Sequence, residues 1–122
     1  MNQSASSSHF PYLSIHLKIG APDEPGFECD IEPLVDTGFD GGVVVPRGLI
    51  PESLEPIDYI TWTLADGTEV LTPAYFCSVT IGQLEPIFTA VIPLADTTLL
   101  GRHVTDSFRV IFDHGQTVIV EP

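Results

Sequence analysis

The most informative stretch of the sequence runs Pro33-Leu34-Val35-Asp36-Thr37-Gly38-Phe39-Asp40-Gly41-Gly42-Val43-Val44-Val45-Pro46. An apolar strand enters an Asp-Thr-Gly tripeptide, the chain turns on a glycine pair, and a second β-branched strand follows. We therefore expect Asp36 at a corner between strand and loop, where its carboxylate is exposed while the sheet holds its backbone. Thr37 offers a short hydroxyl, and Gly38 permits close approach of another backbone. Because Asp and Gly are common turn residues, an ordinary turn is the alternative interpretation.

A second motif, Leu99-Leu100-Gly101-Arg102, follows further along the chain. Two apolar residues and a glycine allow one strand to pass close behind another part of the core. The segment between the motifs contains Ile57 to Leu64, the turn signal Ala65-Asp66-Gly67-Thr68, and a returning strand from Glu69 to Ile81. Asp-Gly between two apolar runs is a strong signal for a β-hairpin.

The two motifs together resemble those of the retropepsin-like aspartic proteases, the single-lobed homodimeric relatives of pepsin. The residues that carry the resemblance are Leu34 to Gly38, the following Asp40, and Leu99 to Arg102. Gly41 to Pro46 and Phe108 to Asp113 look most like the small prokaryotic branch of that family. The resemblance covers about Tyr12 to Glu121. It implies an all-β, single-lobed acid-protease β-barrel with one short helix near the C-terminus, closed as a homodimer.

The resemblance also implies an activity, the hydrolysis of peptide bonds by Asp36 from each of two chains. Two close carboxyls cannot both ionise easily, so they share one proton and activate a water molecule, without metal or cofactor. Thr37 and Gly38 would support this dyad, and peptides or unfolded proteins would be the substrates. Asp40 and Arg102 would form a structural ion pair beside the site.

The hairpin between the motifs corresponds to the flap that closes over the substrate in this family. A glycine-tipped, two-stranded ribbon is mobile and offers backbone N–H groups, as a flap requires. Trp62 and Leu64 are candidate apolar contacts to substrate, although core packing explains Trp62 equally well. Phe39 stands where many retropepsins carry Ala or Ser close to the substrate backbone. The candidate substrate-binding residues are Gly38, Phe39, Asp40, Ala65, Asp66 and Gly67.

Composition limits the possible functions. The chain of 122 residues is long enough for one domain, and its 43% hydrophobic residues and mean hydropathy of +0.25 give weak support for a buried interface. The net charge of −13, from 17 acidic against 4 basic residues, argues against nucleic-acid and anionic-membrane partners. The four histidines, His9, His16, His103 and His114, are scattered without metal-binding spacing, and we interpret them as surface or turn residues.

The N-terminal residues 1–9 are Ser-rich and lack a basic region and an apolar core, so we expect a disordered tail and not a secretion signal. The single domain is then 10–122. Cys29 and Cys77 belong to no metal or redox motif. A bridge between them is open from sequence, but reduced cysteines are commoner in the cytoplasm, where we expect the protein.

Further strands are predicted on apolar alternation and β-branched content. They are Tyr12 to Ile19, Phe27 to Val35 with an interruption at Pro33, Val43 to Val45, Ile87 to Ile92, Phe108 to Asp113 and Gln116 to Val120. Arg102 to Ser107 is the predicted helix, and Pro93 to Thr98 a predicted loop. The terminal strand, Gln116 to Val120, is the candidate for pairing between subunits.

A different class of function uses the same fold as a non-catalytic dimerisation or peptide-binding module. A sheet edge and a groove capture an extended peptide without cleaving it. The complete Asp36-Thr37-Gly38 set favours catalysis, because a pure binder has no need of like charges facing each other on a two-fold axis.

Overall fold

The computed structural model describes residues 4–94 and 96–122. Residues 1–3 of the expected tail and residue 95 of the expected loop 93–98 lie outside the described residues. The described chain contains eleven strands and one helix near its C-terminus. They are β1 (Ala5–Ser7), β2 (Ile15–Ile19), β3 (Phe27–Ile31), β4 (Leu34–Val35), β5 (Val43–Val45), β6 (Asp58–Thr63), β7 (Glu69–Thr80), β8 (Ile87–Pro93), β9 (Leu99–Leu100), α1 (Arg102–Thr105), β10 (Arg109–Asp113) and β11 (Thr117–Glu121). The predicted nearly all-β architecture with one short helix is confirmed.

Two sheets form the domain. The larger sheet has eight strands in the order β3-β2-β7-β8-β5-β9-β4, with β6 pairing the outer part of β7, and it curls into a half-barrel. The smaller sheet has the order β1-β11-β10. Most neighbours are antiparallel, but β4 pairs β9 in parallel and β5 pairs β8 in parallel. These two parallel pairings bring distant parts of the chain together around the first sequence motif.

The core lies between the sheets and follows from alternation along the strands. In β2, Ile15, Leu17 and Ile19 are buried, whereas the intervening residues are half-buried. In β11, Val118 and Val120 are fully buried in the same way and pack in the same cluster. By contrast, all three valines of β5 are buried, as expected for a strand covered on both faces. The apolar area removed from water on these faces is the main source of stability.

The N-terminal segment differs from the expectation of a disordered tail over 1–9. Ala5–Ser7 forms β1, which runs antiparallel to β11 with Ala5 opposite Val120 and Ser7 opposite Val118. Serine-rich sequence carries no strand periodicity, but the backbone of β1 satisfies the N–H and C=O groups on one edge of β11 regardless of its side chains. The ordered domain therefore begins before Phe10.

The segment from Phe27 to Val35, expected as one strand, is divided into β3 and β4. Pro33 cannot donate to a ladder, and its carbonyl accepts a bond from Leu13 N at 3.0 Å. After the break the chain changes neighbours, from β2 to β9. The helix is also shorter than predicted, since it covers Arg102–Thr105 and then ends in tight turns.

The terminal strand does not fit the expectation of pairing between subunits. Within one chain, β11 already has β1 on one edge and β10 on the other. Its backbone groups are therefore used inside the chain, and the free edges of this sheet belong to β1 and β10. Within the described ranges, no helix is long and apolar enough to cross a membrane.

The two cysteines are free. Cys29 on β3 lies opposite Leu17, and Cys77 on β7 lies opposite Ile19, so β2 runs between them. Two strand spacings amount to about 10 Å, beyond the reach of a disulfide. Burial raises the pKa of the Cys77 thiol to about 12, which keeps it protonated and unreactive.

Candidate active site

Asp36 lies where β4 ends. Leu34 pairs Leu99 and Val35 pairs Leu100 in the parallel β4–β9 ladder, and the next amide, that of Asp36, donates to Leu100 O at 3.0 Å. The ladder thus fixes the backbone up to the aspartate itself. The side chain of Asp36 is half-buried. This is the predicted corner between strand and loop.

The loop after β4 orients the Asp36 carboxylate. Gly38 N donates to Asp36 Oδ1 at 2.9 Å, and Phe39 N donates to Asp36 O at 3.2 Å. The carboxylate therefore accepts a bond from its own loop in an Asx-type turn. Thr37 and Gly38 are exposed at the outer side of this turn. The turn interpretation is therefore confirmed, and this turn fixes the orientation of the Asp36 carboxylate.

The second motif passes between the two strands of the first. Leu100 of β9 pairs Val35 of β4 on one side and Val43 of β5 on the other. Directly after β9, Gly101 N donates to Gly42 O at 2.7 Å. As expected from the sequence, β9 enters the core directly behind the aspartate loop.

The start of α1 also forms hydrogen bonds with the loop. Arg102 N donates to Phe39 O at 2.8 Å, and His103 N donates to Gly41 O at 3.1 Å. The first amides of a helix have no partner within the helix, and here loop carbonyls accept from them. The second motif therefore acts through its backbone as well as through apolar packing.

Glycines make this close approach possible. A Cβ on the buried Gly101 would lie 2.2 Å from Gly41 O and 2.6 Å from Phe39 Cδ2. A Cβ on Gly42 would lie 2.3 Å from Thr89 Oγ1. No side chain fits at such distances, so glycine is required at both positions.

Phe39 covers the loop from outside. A Cβ on Gly41 would lie 2.4 Å from Phe39 Cζ, so the ring folds back over that glycine. The ring centroid is 6.1 Å from that of Trp62 on β6, with the planes inclined at 46°. This contact joins the Asp36 loop to the hairpin expected to be a flap. The large ring at this position therefore occupies the space in front of Gly41.

The predicted hairpin forms from β6 and the first part of β7, with its turn at Ala65-Asp66-Gly67-Thr68. Leu64 N donates to Thr68 O at 2.8 Å, Gly67 N donates to Leu64 O at 2.9 Å, and Gly67 has a φ of +86°. Thr68 N donates to Asp66 Oδ1 at 2.9 Å, and the hydrogen bonds from Thr68 lower the pKa of Asp66. The tip is exposed and held only by its own bonds.

Trp62 lies on the inner face of this hairpin. Its indole Nε1 is buried and has no hydrogen-bond partner among the described residues. Core packing and substrate contact were the alternatives for Trp62. Its contact with Phe39 shows that it packs against the Asp36 loop, and substrate contact stays a prediction. Leu64, the other candidate contact, is 40% exposed at the end of the hairpin strand.

His103 contributes more than its assignment as a surface residue suggested. Its Nδ1 lies 2.6 Å from Thr89 Oγ1, and Thr89 is buried against Gly42. The pair ties α1 to β8 behind the glycine loop. No local sequence signal identifies it, because the two residues lie on different elements and meet only through the fold.

The expected ion pair between Asp40 and Arg102 is not formed. Among the ion pairs within residues 4–94 and 96–122, none joins these two side chains. Asp40 lines a cavity with Trp62, whereas Arg102 lines another with Thr37. In the described single chain, backbone atoms make the link between the two motifs, and both side chains are exposed.

Within the described ranges, no group of three or more His, Cys, Asp or Glu residues is placed to hold a metal ion.

Of the comparisons with known proteins, the one with solved structures gives a match. No protein-family model matches the chain, and no curated protein matches it. Among solved structures, the fold is similar to that of a retropepsin-like aspartic protease from Rickettsia conorii, with a TM-score of 0.54 and 16% sequence identity. The match covers 98% of this chain and 93% of that chain. The fold is therefore retropepsin-like, and at this identity the likeness concerns the fold alone.

Proposed function

We propose that this chain is an aspartic endopeptidase that works as a homodimer, with Asp36 of each copy forming the catalytic dyad. The observation that carries the proposal is the Asp36 loop, whose carboxylate is oriented by Gly38 N and whose backbone is held by β9 and α1. Such rigid support is what a catalytic group requires. The retropepsin-like fold adds support at the level of architecture.

The need for a second copy follows from the count of motifs. One chain supplies one Asp-Thr-Gly tripeptide, hence half of a dyad. A closed two-fold interface would supply the other half without further sequence. Thr37 is exposed next to Asp36 and lines a cavity of about 330 Å³ together with Phe108, Val110 and Phe112. Arg102 and Asp106 line the same cavity, so this concave surface combines aromatic and charged side chains. Such a mixed surface suits an interface, and Thr37 would hydrogen-bond across the axis.

The reaction needs the two carboxyls in unequal states. Like charges in close contact repel, so one carboxyl keeps its proton and the other is ionised. The ionised member takes a proton from a bound water, which attacks the scissile carbonyl carbon. The protonated member donates to the carbonyl oxygen as the tetrahedral intermediate forms. The intermediate then collapses: the C–N bond breaks, the amine nitrogen takes the proton that the dyad removed from water, and the hydroxyl proton of the intermediate returns to the dyad. No covalent intermediate with the enzyme arises, and neither metal nor cofactor takes part.

The substrate would lie between the catalytic loop and the hairpin. Gly38, Phe39 and Asp40 would contact it from the loop, while Ala65, Asp66 and Gly67 would close over it from the flap. An extended peptide satisfies its backbone groups by pairing with such strands and turns. We therefore propose peptides and unfolded proteins as substrates.

The test is the Asp36→Asn variant, which keeps the shape of the side chain and removes its charge. We expect cleavage of a denatured protein at mildly acidic pH to fall at least ~1000-fold, since the dyad loses both its base and its acid. Thermal unfolding and sedimentation should show that fold and dimer persist. A chelator should leave the wild-type rate unchanged.

Retained activity in that variant would remove Asp36 from the reaction. Absence of activity in the wild-type chain, together with measurable binding of peptides, would favour the peptide-binding module instead. Inhibition by a chelator would indicate a metal-dependent reaction.

A further inference from the structure

Strand β3 forms one end of the eight-stranded sheet. It pairs with β2 along its whole length, from Phe27 opposite Ile19 to Ile31 opposite Ile15, and among the described residues no strand pairs with its other side. An unpaired strand edge presents a row of backbone N–H and C=O groups that another extended chain can use. The strand that leads into Asp36, β4, lies at the opposite end of the strand order. The free edge of β3 is therefore outside the candidate active site.

The hydrogen bonds of β2 show which backbone groups of β3 point outward. Gly20, directly after β2, donates its N–H to a carbonyl of β7 at 2.8 Å. In an antiparallel ladder the direction alternates along a strand, so Lys18 and His16 also bond β7, whereas the residues between them bond β3. The residues of β3 opposite Lys18 and His16 are Glu28 and Asp30. Their backbone N–H and C=O groups therefore point away from β2, to the free edge.

The side chains of Glu28 and Asp30 lie on the outer face of this edge, with 56% and 86% of their area exposed. In the described part of the chain, their only ion pairs are with His16, which contacts one oxygen of each carboxylate at 2.9 and 2.8 Å. Lys18 lies opposite Glu28, but its Nζ donates to Pro22 O at 3.3 Å. Each carboxylate thus keeps one oxygen for a cationic partner.

The other side chains of β3 face the core but are only partly covered. Phe27, Cys29 and Ile31 pack against the main apolar cluster and are half-buried, whereas Leu17 and Ile19 of β2 are fully buried. The apolar layer of the sheet therefore ends at β3 with its last row open at the side. A further strand would cover this row and remove its apolar area from water.

Charge decides which chain fits this edge. A second copy of β3 would bring Glu28 and Asp30 of both chains together, and like charges on paired strands are destabilising. Each copy also carries a net charge of −13. A strand with lysine or arginine on its outer face would meet the two carboxylates with opposite charge. Because side chains alternate along a strand, the residues between those cations would face Phe27, Cys29 and Ile31.

We propose that the free edge of β3 is a docking site for an extended, basic segment of a partner protein, which adds to the eight-stranded sheet as a further strand. The segment has lysine or arginine at alternate positions and apolar residues between them. Backbone hydrogen bonds to Glu28 and Asp30 hold the strand, and the two carboxylates select its charge. The edge contains no residue of the proposed dyad, so docking goes beyond the proposed function and does not depend on cleavage.

Binding of short, capped peptides to the Asp36→Asn variant, which leaves them intact, tests the proposal. The basic probe has seven residues, with lysine at odd and valine at even positions, and the acidic probe has glutamate in place of lysine. Two further basic probes carry N-methyl groups, either on the lysine amides or on the valine amides. These two rows of amides point to opposite edges of an extended peptide, so only one row faces β3.

At low salt we expect the basic probe to bind about tenfold more tightly than the acidic probe, since both carboxylates take part. Fluorescence anisotropy of labelled peptides measures the dissociation constants. Adding Glu28→Lys with Asp30→Lys should reverse the preference. Glu52→Lys with Glu55→Lys is the matched control, because it changes the net charge equally at two exposed residues outside β3, and it should keep the preference for the basic probe. Circular dichroism shows whether each variant is folded.

Amide hydrogen exchange locates the bound peptide. The Glu28 and Asp30 amides should exchange about fivefold more slowly with the basic probe bound, since each gains a hydrogen bond. The Cys29 amide already bonds β2 and should change little. This measurement uses protein with β3 unaltered, so it decides the question even if the lysine variant does not fold. Protection of Ala65 at the hairpin tip in place of Glu28 would put the peptide in the candidate active site and overturn docking at β3.

Four other results would overturn the proposal. They are equal binding of the basic and acidic probes, equal effects of the β3 and control variants, and equal binding of the two N-methylated probes, which would mean that no backbone edge is used. The fourth is protection of Glu28 and Asp30 without peptide that rises with protein concentration, which would identify a second copy as the occupant. Loss of binding in one N-methylated probe, with charge reversal at β3 alone, supports docking whether or not the wild type hydrolyses peptides.

Discussion

At the scale of single residues, the site depends on the absence of side chains as much as on Asp36. Gly101 lies where β9 leaves the core, and its Cα approaches both the Gly41 carbonyl and the Phe39 ring. The hydrogen bond from Gly101 N to Gly42 O, at 2.7 Å, requires this approach. A carboxylate positioned this way is held by backbone contacts that any extra atom would push apart.

We therefore predict that Gly101→Ala destabilises the fold by ~2–3 kcal/mol, because the added methyl overlaps a backbone oxygen that cannot turn away. Urea denaturation measures the change in the free energy of unfolding. Gly48→Ala is the control, since a Cβ there meets nothing within 4 Å. That variant should stay within about 0.5 kcal/mol of the wild type. Equal effects of the two substitutions would contradict the packing argument.

Phe39 is the residue through which the Asp36 loop contacts the hairpin. Its ring covers Gly41 and contacts Trp62, so the loop and the hairpin meet even without substrate. The buried indole N–H of Trp62 has no partner among the described residues, and such a group carries a cost of ~1–3 kcal/mol. This cost offsets part of the stability gained from the contact between Phe39 and Trp62. It therefore favours a hairpin that moves away from the loop easily.

At the scale of elements, the hairpin of β6 and β7 is the proposed flap. The amides of Ala65 and Asp66 are not among the donors of backbone hydrogen bonds in residues 4–94 and 96–122. Both residues are exposed at the tip. In the proposed flap, the Ala65 amide would donate to a backbone carbonyl of a bound peptide, and the Asp66 amide would leave the carboxylate of its own side chain to do so.

We predict that a peptide bound to the Asp36→Asn variant slows hydrogen exchange at Ala65 and Asp66 by about fivefold, since a net hydrogen bond contributes ~1 kcal/mol. Amide exchange followed residue by residue by NMR measures this. The exposed turn at His114 and Gly115 closes another hairpin and should show no change. Protection at both turns would indicate a general tightening of the fold, and protection at neither would make the tip an ordinary surface turn.

The elements that sequence predicted well are those with local signals. The Asp-Gly turn, the alternation of β2 and the three valines of β5 each determine their own conformation, and the structure confirms them. The crossing of Leu99 and Leu100 behind the Asp36 loop was predicted through a resemblance to known motifs, and the β4–β9 and β5–β9 pairings agree with it.

The elements that sequence missed depend on contacts between distant parts of the chain. Strand β1 forms because one edge of β11 is open for pairing. No property of the serine-rich segment itself predicts this strand. The bond between Thr89 and His103 joins β8 to α1, and its partners have no pattern of their own. The expected pair of Asp40 and Arg102 is absent from the described single chain, where the two exposed side chains line different cavities.

At the scale of the whole molecule, the proposed homodimer must form around a surface that the single chain leaves incomplete. Both edges of β11 are occupied, so association cannot use that strand unless β1 or β10 is displaced. The surface beside Thr37 remains available, with Phe112 41% exposed. Apolar contact there would provide the favourable free energy of association.

The charge of the chain opposes that association. Each copy carries −13, so two copies repel at low ionic strength. We predict that raising the salt concentration from about 20 to 200 mM tightens the dimer by roughly tenfold, because the Debye length falls to less than 10 Å and screens the repulsion. Sedimentation equilibrium measures the dissociation constant.

Lowering the pH toward the isoelectric point near 4.2 at constant low salt should also tighten the dimer, since protonated carboxyls reduce the charge of each copy. Dissociation caused by salt would mean that ion pairs hold the interface, and a monomer under all conditions would contradict the shared dyad of Asp36.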